Sequence, residues 1–290
     1  MKAKRLIIGL TLLTILLLAI ITSGGREYEA KAAEEGPLPQ LQVHFINLGY
    51  GDTILLDLGD TEVLIDGGYG VPDLTRHLER YIDGSLEAMI ATHPHDDHIG
   101  GLIAVLDTFD VEQIWHNGDT AKSSTYRGFI NKVNAEGAEV KVARRGDAIV
   151  VDGLTLNVLH PTEPLVSKKN NNSIVLMLSY GEIDLLFAAD AEKEAEAEMI
   201  GADVLADVEI LKAGHHGLRT SCSKAFLDIT WPEVVIYLPS LGNPYGQPHY
   251  ETLHRCHNIG AKVFGAAKDG MSIMVRTDGE TYSVNSVWVK

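Results

Sequence analysis

Residues 92–98 read Thr92-His93-Pro94-His95-Asp96-Asp97-His98, which sets three histidines and an aspartate in the spacing H-x-H-x-D-H. Imidazole and carboxylate are the ligands that borderline divalent metals such as zinc prefer. The apolar run 86–91 before the cluster predicts a buried strand, and 99–106 after it predicts the opening of a helix. The cluster is therefore expected on a strand-to-helix loop at the carboxyl edge of a sheet, where α/β proteins place their chemistry. His93 and His95, two residues apart on an extended loop, can converge on one ion. The adjacent Asp97-His98 pair can turn toward a second. Twelve histidines in 290 residues make an isolated pair unremarkable. Four ligands in this order, between a strand and a helix, constrain the chain far more.

The remaining pattern alternates strands and helices around that loop. Residues 42–46, 53–58 and 62–65 alternate or run apolar between Gly-Asp turn signals, as in an antiparallel meander. Residues 72–82 have apolar spacings of three and four behind Pro72, the pattern of a helix. Strands follow at 111–115, 140–143, 148–151 and 154–159, with a helix near 126–134. In the second half, strands are expected at 174–180, 183–188, 208–211, 234–237 and 262–264, with a helix over 191–199. Segments 225–228 and 250–257 continue the alternation, and 271–276 and 281–289 read as closing strands. The fold class implied is α/β: two sheets with helices outside both.

Three more ligand types stand at the ends of such strands: Asp66 after 63–65, Asp190 after 186–189, and His215 in Leu211-Lys212-Ala213-Gly214-His215-His216-Gly217. In this order, with H-x-H-x-D-H, they resemble the metallo-β-lactamase-fold superfamily over roughly residues 41–276. That resemblance implies a four-layered αββα sandwich. A narrower likeness is carried by His44-Phe45-Ile46-Asn47-Leu48-Gly49-Tyr50-Gly51-Asp52, by Asn170-Asn171-Asn172-Ser173, by the Lys212 to Gly217 run, and by Gly242-Asn243-Pro244-Tyr245-Gly246-Gln247-Pro248. These are similar to motifs in the hydrolase domain of competence-type (ComEC-like) DNA-uptake channels and its free-standing relatives.

The resemblance implies a set of roles. His93 and His95 would bind a first ion, and Asp97, His98 and His215 a second, with Asp190 bridging. Asp97 would also orient the attacking water, and Asp66 would hold the histidine loop from behind. His216 is either a hydrogen-bond donor to the leaving group or a ring packed beneath the loop. The chain departs from the wider family where a third histidine for the first ion is expected, because the Asn turn 170–172 stands there. Asn171, or a neighbour in the Asn turn, is the expected replacement, ahead of His160. An amide oxygen in place of imidazole would move preference from zinc toward manganese or magnesium. Gln247 stands where the narrower branch has histidine, and His249 is close by.

The chemistry implied is metal-dependent hydrolysis, with one or two ions of zinc, manganese or iron supplying hydroxide at neutral pH. The narrower likeness implies a phosphodiesterase or nuclease. Opening of a β-lactam or lactone is the rival on the same fold, and a binding module with weak chemistry, linked to DNA uptake, is the rival of another class.

Lys2, Lys4 and Arg5 precede an apolar stretch over 6–21, which reads as a signal peptide within 1–25 or an N-terminal membrane anchor. Residues 26–39 read as a linker and 40–290 as the hydrolase domain, placed outside the cytoplasm. The formal net charge of -16 becomes -19 without the three N-terminal cations. Such a balance repels polyanions and argues against strong duplex DNA binding. A small phosphodiester or a single strand is the expected substrate, met by Lys168, Lys169, Lys212, Arg219 and Lys224 near the site motifs. Cys222 and Cys256 are the only cysteines. Two buried thiols are the expectation, and a disulfide between them is left open.

Overall fold

The computed structural model describes residues 37–70, 73–238, 245–265 and 271–288. The proposed signal segment, most of the linker, Pro72 and the 242–244 stretch of the Gly-Asn motif lie outside the described residues.

The first half contains β1 (Leu41–Phe45), β2 (Ile54–Asp57), β3 (Glu62–Ile65), α1 (Asp73–Leu78) and β4 (Leu86–Ala91). It continues through α2 (Asp96–Ile99), α3 (Leu102–Val105), β5 (Val111–His116), α4 (Ser124–Glu136) and β6 (Glu139–Val142). The second half begins with β7 (Ala148–Val151), β8 (Leu154–His160), β9 (Val175–Tyr180), β10 (Ile183–Phe187) and α5 (Lys193–Gly201). It ends with β11 (Ile210–Lys212), α6 (Lys224–Thr230), β12 (Val234–Tyr237), α7 (Tyr250–Asn258), β13 (Lys262–Gly265), β14 (Met271–Thr277) and β15 (Tyr282–Trp288).

The strands form two mixed sheets. One has the order β15-β14-β1-β2-β3-β4-β5-β6 and the other β13-β12-β11-β10-β9-β8-β7. The last two strands cross back to the first sheet, where β14 pairs antiparallel with β1.

Period-two alternation explains the layering. In β2, Ile54 and Leu56 enter the core between the sheets while Leu55 enters the core beneath the helices. Val63 and Ile65 against Leu64 in β3 repeat this, as do Leu185 and Phe187 against Leu186 in β10. Strands buried on both faces read as continuous apolar runs for this reason. Leu74, Leu78, Ile99, Leu102 and Phe129 close the outer face of the first sheet. Ala195, Met199, Phe226, Leu227 and Cys256 close that of the second. The result is the expected αββα order. Cys222 and Cys256 are both buried free thiols within the latter core.

The segment expected as one helix over 99–106 differs. Helix starts at Asp96 and breaks at Gly100-Gly101 into α2 and α3. Asp96 and Asp97 suit the positive end of a helix, which draws its start forward. At the break the Gly101 amide donates to Gly68 O at 3.0 Å instead of into the helix, and the approach is so close that a Cβ on Gly101 would lie 1.9 Å from the Gly67 carbonyl oxygen. Asp97 and His98 thus sit on the first turn of a helix rather than on an open loop. The segment 225–228 is part of helix α6, begun by Ser223, whose hydroxyl accepts from the Phe226 amide at 3.3 Å.

Candidate metal centre

Parallel pairing of β3 with β4, and of β10 with β11, brings four strand ends to one edge of the molecule. Asp66 follows β3, His93 follows β4, Asp190 follows β10, and His215 and His216 follow β11. Gly51 belongs to the same edge. Its φ of +92°, and a would-be Cβ only 1.7 Å from the Asp97 carbonyl oxygen, admit no side chain there.

Asp190 is the centre of the arrangement and is 1% exposed. Its Oδ2 lies 3.7 Å from His93 Nε2 and 3.5 Å from His215 Nε2. Its Oδ1 lies 3.4 Å from His98 Nε2 and 3.6 Å from His216 Nε2. His95 Nδ1 is 3.0 Å from His93 Nε2, and Asp97 Oδ2 is 3.6 Å from His216 Nε2. His98 Nε2, His216 Nε2 and Asp190 Oδ1 are buried with no hydrogen-bond partner. Leaving such a group unsatisfied costs about 1–3 kcal/mol, and here three of them face one another. Asp97, His98 and His216 can bring their ligand atoms within 4.8 Å of one another, as can His93, His98 and Asp190. The donor set is imidazole and carboxylate, so the residues present fit a divalent ion.

The far sides of these rings are held. Asp66 Oδ2 accepts from His98 Nδ1 at 2.7 Å and from the Thr92 hydroxyl at 2.6 Å, while Oδ1 accepts from the Thr92 amide at 2.8 Å. Asp52 Oδ1 lies 3.1 Å from His216 Nδ1, and its Oδ2 accepts from Lys212 Nζ at 2.5 Å. Lys212 is fully buried. Carboxylates behind metal-ligating histidines fix the tautomer and the ring direction.

The field in the pocket follows from these contacts. Burial opposes protonation of His98 and His216, yet Asp190 with Asp66 raises the first well above its ordinary value, and Asp190 with Asp52 lifts the second to about 10. Burial would raise Asp97, but the nearby His216 ring and the charge of His98 lower it to about 2. Burial and the neighbouring His98 charge lower His93 and His95. Four carboxylates thus favour positive charge around Asp190 Oδ1, which protons or a cation can supply.

His93, His95, Asp97, His98, Asp190, His215 and His216 are therefore brought together, with Asp66 behind them. The two histidines of the doubled pair are placed differently from expectation: His216, rather than His215, joins Asp97 and His98. Asn171 is turned away, its Oδ1 accepting from the Glu192 amide at 3.0 Å and its Nδ2 donating to Glu194 at 3.1 Å. The neighbouring Asn170 is the one beside His215, with Nδ2 3.2 Å from Nδ1 of that ring. His160 stands apart, its ring nitrogens on Ser173 O and Glu198 Oε2 at 3.0 and 2.9 Å. Gln247 donates to the His215 carbonyl at 3.1 Å, and His249 accepts from the Arg219 amide at 3.0 Å, so both brace the turn from outside.

The basic side chains are less available than expected. Lys212 is consumed by Asp52, Lys168 pairs with Glu192, Lys169 with Asp119 and Lys224 with Asp228. Sequence reasoning missed Asp52 and Glu192 as partners of the histidines. The Gly51-Asp52 step was visible, but nothing local ties it to Lys212, 160 residues away.

Comparison with known proteins agrees with this geometry. The chain belongs to the metallo-beta-lactamase superfamily, matched over residues 46–240. It is 28% identical over 185 residues to ComE operon protein 3 of Bacillus subtilis, covering 64% of this chain and 24% of that protein. It is 27% identical over 240 residues to Recombination protein 2 of Haemophilus influenzae, covering 80% and 28%. The chain thus spans only about a quarter of the length of these relatives. Among solved structures it is similar in fold to YhfI of Bacillus subtilis, with TM-score 0.54 and 15% identity, over 81% of this chain and 99% of that one. It is also similar to CmlA, a diiron beta-hydroxylase from Streptomyces venezuelae, with TM-score 0.51 and 13% identity, over 87% and 55%.

Proposed function

We propose that the protein is a metal-dependent phosphodiesterase of nuclease type that acts outside the cytoplasm. The observation that carries the hydrolase reading is the Asp190 carboxylate with two imidazoles on each oxygen, three of the facing atoms lacking any other partner. Divalent ions held there would lower the pKa of water from 15.7 to about 7 and so supply a nucleophile at neutral pH.

The chain's own residues divide the remaining work. Asp97 is the half-buried carboxylate at the mouth, its side chain 20% exposed against 2% for Asp190. It is placed to accept a hydrogen bond from an entering water and so to orient it. His216 is closed in by Asp52 on one side and by Asp97 and Asp190 on the other, which suits a ligand better than a donor to the leaving group. Asp66 and Thr92 hold the histidine loop still.

Two features support a nucleic-acid-like phosphodiester. Two of the relatives are by name a recombination protein, of Haemophilus influenzae, and a competence protein, of Neisseria gonorrhoeae. Tyr69 and Tyr245 are 58% and 64% exposed, and Tyr50, packed edge-on against Tyr69 at 5.6 Å, has its hydroxyl raised by burial and by Asp97, Tyr245 and Asp190. Base stacking on such rings contributes about 1–3 kcal/mol per base. With most nearby cations paired, a duplex gains little, and a single strand or a small diester is favoured. The N-terminal basic and apolar residues motivate the location, and no described helix is long and apolar enough to cross a membrane.

The test is turnover of bis-p-nitrophenyl phosphate and of a single-stranded oligonucleotide with manganese, zinc or iron. Metal-dependent cleavage is expected. No turnover with any of them, together with opening of a β-lactam or lactone, would transfer the site to that chemistry. Metal uptake without any hydrolysis would leave a binding module. Fractionation that finds the full-length protein in the cytosol would refute the location.

A further inference from the structure

We infer that the doubled histidine serves both ions, His216 on the Asp190 Oδ1 side and His215 on the Oδ2 side, where His215 replaces the histidine that the Asn turn lacks. The inference rests on the reading that this site holds divalent ions.

The backbone of the turn is the first argument. His215 has φ 45° and ψ 51°, and His216 has φ 54° and ψ 23°. Left-handed backbone is uncommon for any residue but glycine, and two in succession are rarer still. The turn is held there by the His215 amide on Ala189 O at 2.9 Å, by the Leu218 amide on His215 O at 2.8 Å, and by the Ser221 hydroxyl on Gly214 O at 2.6 Å. Its consequence is that neighbouring rings reach opposite oxygens of one carboxylate, at 3.5 Å for His215 and 3.6 Å for His216.

The second argument is the support behind each ring. His98 has Asp66 at 2.7 Å and His216 has Asp52 at 3.1 Å. His215 has Glu192, whose Oε1 lies 3.4 Å from Nδ1, and Glu192 is itself held by Lys168 Nζ at 2.7 Å. A carboxylate on the nitrogen facing away from the ion is how a ligating imidazole is normally oriented. A carboxylate thus stands behind all three rings, although Glu192 also serves Lys168 and Asn170.

The third argument is elimination. Both ends of the Asn171 amide are engaged by Glu192 and Glu194, and both His160 nitrogens by Ser173 and Glu198. Asn170 keeps a buried Oδ1 without a partner and stands beside His215, but His215 is the one that sets a ring nitrogen 3.5 Å from Asp190 Oδ2. The Oδ2 side then offers three imidazoles and one carboxylate oxygen, a nitrogen-rich set that restores the preference for zinc over manganese.

The experiment is metal titration of the apoprotein with manganese, read as bound equivalents and by electron paramagnetic resonance. Wild type should bind two equivalents and show an exchange-coupled pair. His215→Ala should bind one, with the spectrum of an isolated ion, and Asn171→Ala should still bind two. If His215→Ala is poorly folded, Glu192→Gln should weaken one of the two ions by about 10–100-fold and leave the other unchanged. A coupled pair retained in His215→Ala, or one ion lost in Asn171→Ala, would overturn the assignment while leaving the metal reading intact. A folded wild type that takes up less than one equivalent of manganese, zinc or iron would overturn the metal reading and this inference together.

Discussion

The two faces of Asp190 are built to different standards. On the Oδ1 side, His98 and His216 are fully buried, and each turns its far nitrogen to a buried carboxylate, Asp66 or Asp52. Asp52 is in turn neutralised by the buried Lys212. On the Oδ2 side, the far nitrogen of His93 meets only the Thr92 hydroxyl, at 3.2 Å. The His215 side chain is 20% exposed, and the Glu192 behind it leans on a Lys168 that is half exposed. One carboxylate therefore joins a rigid, pre-formed pocket to a looser one at the solvent side. The rigid side should hold its ion first and more tightly, and the open side should admit substrate.

The largest effect is expected where the two faces meet. Asp190→Ala should abolish binding of both proposed ions and lower hydrolysis by on the order of 10³-fold or more, since each ion would contribute several kcal/mol to the transition state. Asp97→Ala or His98→Ala should abolish hydrolysis while the fold stays intact and the Oδ2 side still binds. Near-native turnover in any of these would end the comparison, because the faces would not be acting on the reaction.

Next in size is the buried pair on the rigid side. Lys212→Met takes from the buried Asp52 its lysine partner and leaves it only the imidazole of His216, and breaking a buried pair costs up to about 3–5 kcal/mol. Denaturant unfolding should show that loss, and the double change Lys212→Met with Asp52→Asn should recover most of it. An unchanged midpoint for the single variant would mean that the pair does not hold the rigid face.

A smaller effect sharpens the contrast in affinity. Asp66→Asn should weaken the tighter ion by about 10–100-fold in a metal competition titration. Weakening confined to the looser ion would reverse the order of the two faces.

The smallest effect lies away from the site. Glu62 is buried beside Glu87 and Asp57, and burial with those charges raises its carboxyl to about 8. The folded state therefore keeps a proton that the unfolded chain releases above about 4.5. The stability Glu62 contributes is present below that value and is lost as pH rises toward 8. Glu62→Gln should thus raise Tm at pH 8 by about 2–4 °C for each 1 kcal/mol regained, with little change at pH 4. Equal shifts at both pH values would show that the proton is not the cause.

How far the chain could be read before its structure follows the same division. The strands were legible because residues such as Leu55 and Leu64 alternate with neighbours that enter a second core, and Gly-Asp steps mark the turns. The histidine loop was legible because its ligands are contiguous, and Asp66 and Asp190 because they end apolar strands. The division of labour between His215 and His216 was not legible, since it depends on two left-handed residues that composition does not announce. Nor was the turn of Asn171 toward Glu194, which follows from where α5 begins. Lys212 reads as a surface cation by type, and only the long-range approach of Asp52 explains why it is buried.

The central claim is that Asp190 joins two cation pockets. Crystals of the protein soaked with manganese or zinc and measured at the absorption edge of the metal test it most directly. Two anomalous peaks are expected, one on each oxygen of Asp190, with the higher occupancy on the side of His98 and His216. A map without peaks at Asp190, or with its only peak away from these histidines, would contradict the account.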